Sequence, residues 1–103
     1  MSLKLEKLNG LDEVCEQIKD YPVYITIDLD VLDPAYFPGT GTPEPGGITY
    51  KELLDAIQSF TKLNKVVGAD IVELSPHYDA SGASTAVACK TLREMILLLH
   101  KQD

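Results

Sequence analysis

Three aspartates close an apolar run near the middle of this chain. Residues 22–47 read PVYITIDLDVLDPAYFPGTGTPEPGG, so that Asp28, Asp30 and Asp33 follow a β-branched stretch and lead into a segment dense in Pro and Gly. Residues 23–27 are short, rich in β-branched and aromatic side chains and bounded by turn formers, which is the pattern of a buried strand. Side chains two apart on a strand share a side, and this places Asp28 and Asp30 together where the strand frays. Two adjacent carboxylates raise each other's pKa unless a cation or a shared proton relieves them. The pattern points to a metal ion, and all-oxygen donors favour Mg2+, Mn2+ or Ca2+ over zinc. Asp33, standing before Pro34, reads instead as a turn residue.

Other chemistries fit less well. An EF-hand loop counted from Asp28 would need Gly at its sixth position, where this chain has Asp33. Gly39-Thr40-Gly41 lacks the further Gly spacing and the following helix of a dinucleotide fingerprint. A phosphatase or mutase with a nucleophilic aspartate also opens with Asp-x-Asp after an apolar strand. That class expects Thr or Val and an early Gly where Leu32 and Asp33-Pro34 stand, and it leaves the Pro/Gly loop unexplained. His77 reads as a loop residue, and His100 as a partner for a helix C-terminus.

Composition narrows the partners. The 103 residues carry a formal net charge of −7 with nine Lys and Arg, which argues against nucleic acid. No apolar run approaches the roughly 20 residues of a spanning helix, and MSLKLEKLNG has no apolar core of signal-peptide length, so no membrane partner and a cytoplasmic location are expected. Cys15 and Cys89 are far apart with no second ligand at zinc spacing, and both read as small buried hydrophobes.

The elements that position the acids follow from periodicity. Leu11, Val14, Cys15 and Ile18 predict an amphipathic helix ending near Asp20, broken by Tyr21-Pro22. After the loop, Thr49 and Glu52 have capping-box spacing, and Ile48 can staple onto Leu53. Tyr50, Leu53, Leu54, Ile57 and Phe60 form the stripe of that helix. Residues 66–74, VVGADIVEL, predict a second strand with Glu73 near its end, closed by Ser75-Pro76. Ala88, Leu92, Met95, Ile96 and Leu99 mark a closing helix of about four turns. Strands alternating with helices describe a parallel βαβ unit, so Glu73 should emerge beside Asp28 and Asp30 at the carboxyl edge where ligands gather. Two parallel strands are too few to stand alone, and a piece of a larger sheet is expected.

The motif residues carry a resemblance. Asp28-Leu29-Asp30-Val31-Leu32-Asp33-Pro34 with residues 37–47 resembles the signature of the ureohydrolase family of arginases and agmatinases, and residues 68–76, GADIVELSP, resemble its second signature. The likeness runs from about Tyr21 to the end, and Ser75-Pro76-His77-Tyr78-Asp79 looks more like agmatinases than arginases. It implies a three-layer α/β/α fold with a mainly parallel sheet, and binuclear manganese chemistry that hydrolyses a guanidino compound such as agmatine to urea and an amine, putrescine. By the family pattern, the Asp28 position bridges both ions, the Asp30 position binds one, and the Glu73 position faces the guanidinium. The resemblance also implies a homo-oligomer, trimeric or hexameric. The family's other ligands, a His and an Asp-x-His-x-Asp cluster, and its catalytic His have no counterpart in these residues. Residues 1–103 are therefore expected to be a single partial domain, the C-terminal segment of an agmatinase-like enzyme, inactive alone and with no catalytic residue of its own. The alternative is a non-catalytic module for oligomerisation or binding.

Overall fold

A computed structural model describes residues 10–100 and the backbone of Ser2–Leu3. The elements run β1 (Ser2–Leu3), α1 (Leu11–Ile18), β2 (Val23–Asp28), α2 (Tyr50–Gln58), β3 (Val66–Val72) and α3 (Ala83–His100). The strands form a parallel sheet in the order β1-β2-β3. β1 corrects the two-strand expectation: Ser2 pairs with Tyr24 and Leu3 with Ile25, in a strand too short to show any alternation.

β2 is buried on one face. Val23, Ile25 and Ile27 are fully enclosed, while Tyr24 and Asp28, which alternate with them, are exposed and Thr26 is half-buried. Leu11, Cys15 and Ile18 of α1, Leu53 and Ile57 of α2, and Met95 and Leu98 of α3 gather with the enclosed residues in one core. Sheet and one helix layer are thus present among the described residues, two of the three layers that the resemblance implies. The open face carries Asp70 of β3, which accepts hydrogen bonds from Tyr24 Oη at 2.9 Å and from Thr26 Oγ1.

α2 begins as its capping box requires. Glu52 N–H donates to Thr49 Oγ1 at 3.1 Å, and Thr49 N–H donates to Glu52 Oε1 at 3.0 Å. Thr49→Ala should cost about 1 kcal/mol in chemical unfolding, because it removes a cap and touches nothing in the core.

Other faces differ from the periodic reading. Val14 is exposed, and α1 rests on Leu11, Cys15 and Ile18. α3 buries Ser84, Thr91, Met95 and Leu98, whereas Leu92, Ile96 and Leu97 are about half exposed. Thr91 tolerates burial because its hydroxyl donates to the Val87 carbonyl at 2.8 Å within the helix. Cys15 is enclosed, and burial pushes its thiol pKa up; Cys89 is exposed, contrary to expectation. No helix among the described residues is long and apolar enough to cross a membrane.

Candidate functional site

The three acids singled out from the sequence reach the carboxyl edge of the sheet by different routes. β2 ends at Asp28, and residues 29–31 turn at once into one 3-10 turn. Asp28 caps that turn, accepting the Asp30 N–H on Oδ1 at 3.0 Å. The pair is therefore brought together by a turn rather than by strand alternation. Glu73 arrives through register: Asp28 pairs with Val72 on β3, and Glu73 is the next residue beyond.

Crowding shows in the charge balance. Asp28 is pushed up to about 6, chiefly by the desolvation of its carboxyl, then by the Asp30 side chain, with the charges of Asp30 and Glu73 adding to it. No basic residue pairs with Asp28, Asp30 or Glu73 among the described residues. Asp28 and Asp30 on one turn, with no basic partner and with the charge of Glu73 felt at Asp28, offer the hard oxygen donors that a divalent ion such as manganese takes. The set is short of a closed site, since no cluster of three or more His, Cys, Asp or Glu able to hold an ion exists among the described residues.

Glu73 stands in the left-handed region at φ 77. A long side chain there carries a strain of about 1–3 kcal/mol that the surrounding fold must hold, and such strain concentrates at functional positions. E73G should be more stable than E73A by about 1 kcal/mol, the reverse of the usual order, since both remove the charge and only glycine relieves the backbone. Equal midpoints in urea would show that the φ value costs nothing.

The Pro/Gly segment is shaped and anchored. A parallel bridge between Leu32 and Ile48 closes it at the base, and Phe37 is fully buried in the core. Asp33 acts as the turn residue the sequence suggested, accepting the Ala35 and Gly46 N–H groups, each at 2.9 Å; these backbone donors hold its carboxyl below the usual range. Sequence reasoning missed Thr42, whose Oγ1 donates to Asp30 Oδ2 at 3.3 Å. His77 packs its ring on Tyr78, with centroids 4.1 Å apart.

The model of the arginase family matches residues 3–98. The chain belongs to the arginase family. An agmatinase from Bacillus anthracis is 54% identical over 95 residues, which cover 91% of this chain and 33% of that protein. A mitochondrial guanidino acid hydrolase from Homo sapiens is 47% identical over 91 residues, covering 88% of this chain and 26% of the relative. Among solved structures, the proclavaminate amidino hydrolase of Streptomyces clavuligerus superposes with a TM-score of 0.84 at 36% identity, over 93% of this chain and 32% of its own. The α/β arginase-type fold expected from the motifs is thus the fold of this chain. It spans about a third of the length of the agmatinases it matches.

Proposed function

We propose that residues 1–103 form the C-terminal segment of an agmatinase-type ureohydrolase domain, in which Asp28 and Asp30 are two manganese ligands and Glu73 receives the substrate guanidinium. The supporting observation is the exit of three acids without a basic partner at one edge of the sheet, Asp28 and Asp30 on one turn and Glu73 one residue past the β3 partner of Asp28, with Asp28 pushed up to about 6. Manganese supplies, when bound, a water of lowered pKa able to act as nucleophile near neutral pH. Asp28 and Asp30 hold the donor oxygens, and the Asp30 carboxyl is oriented by Thr42. Glu73 offers a planar carboxylate that a guanidinium can meet with two parallel N–H groups. Hydrolysis of agmatine would yield urea and putrescine.

Agmatine is the substrate favoured by the higher identity to agmatinases, although a guanidino acid hydrolase stands only a little lower at 47%. The remaining ligands are assigned to residues other than these 103, whose two histidines stand in no Asp-x-His-x-Asp motif. Urea release is measured with agmatine and with a guanidino acid, using the 103-residue chain with Mn2+ alone and after mixing with a family segment that carries Asp-x-His-x-Asp. Activity in the mixture alone is expected. An enzymatic rate from the chain by itself overturns the division of ligands, and a faster rate with the guanidino acid overturns the choice of agmatine. The half-exposed Leu92, Ile96 and Leu97 of α3 favour assembly, and a homo-oligomer is the proposed state, to be read by sedimentation.

A further inference from the structure

Ser84 is the second residue of α3 and is wholly buried, yet its hydroxyl serves a loop 45 residues earlier. Gly39 N–H donates to Ser84 Oγ at 2.8 Å, and Ser84 Oγ donates onward to Asp79 Oδ2 at 2.6 Å. Asp79 is itself fixed: it accepts the Ser84 N–H at 2.8 Å, and Ser81 N–H and Oγ at 3.1 and 2.6 Å. The Gly39 carbonyl is held from the other side by Ser75 N–H at 2.7 Å. The approach is close, since a Cβ on Gly39 would stand 2.6 Å from Ser84 Cβ.

A helix cap alone needs less than this. Asp79 already satisfies an orphan amide at the start of α3. The Ser84 hydroxyl adds a bond that stabilises no turn of the helix and instead ties Gly39 to it. Three residues beyond Gly39, Thr42 meets Asp30. We propose that Ser84 and Asp79 are positioning residues, which fix the backbone at Gly39 so that Thr42 orients the Asp30 carboxylate toward the ion. The inference rests on the metal reading above for its consequence, but not for its geometry. Partners one step removed from a ligand set its orientation and typically tune affinity.

The test uses the 103-residue chain with S84A, D79N and, as a control, T49A, which removes the α2 cap and no hydrogen bond of Gly39, Thr42 or Asp30. Three readouts are taken: amide exchange at Gly39 by NMR, the Asp30 carboxyl and Thr42 signals without metal, and Mn2+ titration followed by EPR. S84A should speed Gly39 exchange about tenfold, shift the Asp30 and Thr42 signals, and weaken Mn2+ by about tenfold, the low end for loss of an outer partner. D79N keeps an acceptor oxygen, so its changes should run in the same direction and be smaller; it carries the test if S84A does not fold. T49A should lower the unfolding midpoint while leaving all three readouts unchanged. If S84A behaves like T49A, the proposal is overturned. If the unsubstituted chain binds no Mn2+ without a segment that carries Asp-x-His-x-Asp, the titration is made in that mixture, and exchange at Gly39 with the Asp30 and Thr42 signals decides the role of Ser84 in either case.

Discussion

Gly47→Ala should lower the stability of the chain by about 3 kcal/mol, the upper range for a substitution that forces atoms into a packed site. The reason lies in what the new methyl would meet. A Cβ on Gly47 stands 2.5 Å from the Val31 carbonyl oxygen, 2.6 Å from Asp33 N and 2.7 Å from Leu32 C. All three are backbone atoms, which cannot swing aside. They belong to the bridge that closes the loop, where Asp33 N–H donates to Ile48 O and Ile48 N–H to Val31 O, each at 3.0 Å. Relief would break those two bonds and drag Leu32, only 1% exposed, out of the core. Gly68 provides the contrast. A Cβ there meets the Tyr24 ring at 2.8 Å, but Tyr24 is 41% exposed and its ring can turn toward solvent. Gly68→Ala should therefore cost about 1 kcal/mol, most of it the lost hydrogen bond to Asp70. Urea unfolding followed by circular dichroism measures both, and equal losses would refute the distinction between backbone and side-chain neighbours. A loss of about 3 kcal/mol is a large part of what a domain of this size possesses.

What the sequence disclosed depended on the range of the interaction. The α2 start was legible because Ile48, Thr49, Glu52 and Leu53 act within one turn of helix. The arrival of Glu73 at the edge where Asp28 stands was legible from topology, since parallel strands must end at the same edge. The buried face of α3 was not. Apolar residues occur all around that helix, so the stripe read from periodicity included Leu92 and Ile96, which are half exposed, and nothing local marked Ser84 and Thr91 for the enclosure they have. The tie between Gly39 and Ser84 spans 45 positions and has no local signature, beyond an Asp followed at turn spacing by Ser81 and Ser84. Nor does anything in Glu73 or its neighbours announce a left-handed backbone, which normally calls for glycine. Lines of sequence record propensity and pattern, while strain and long-range ties exist only in the folded chain.

Asp28→Asn should move stability and metal binding in opposite directions. The folded-state pKa of Asp28, about 6, lies above its ordinary value of 3.8, so the folded chain holds a proton there that the unfolded chain releases. The stability contributed by this group is full below pH 3.8 and is lost as pH rises through about 6. At pH 7.5 and without metal, the ionised carboxyl is a net cost, set by its own desolvation and by Asp30 and Glu73 beside it. Asparagine removes the charge and keeps an oxygen to accept the Asp30 N–H, so D28N should be the more stable protein at pH 7.5. The gap should close toward pH 4.5, where the natural residue is largely protonated. Metal reverses the ranking, because ligands bind deprotonated and a neutral amide is a poor donor for a hard cation. D28N should weaken Mn2+ by at least about 100-fold, beyond what loss of an outer partner produces. For the unsubstituted chain, Mn2+ affinity should fall as pH drops below about 6, since protons then compete for the same oxygen. Urea unfolding at the two pH values and EPR titration of Mn2+ separate the effects. A D28N chain less stable at pH 7.5 would mean that Asp28 has a structural partner outweighing its crowding, and unchanged Mn2+ affinity would remove Asp28 from the ligand set. If both expectations hold, the β2/β3 edge sacrifices stability to keep an ionised carboxylate where a cation can meet it.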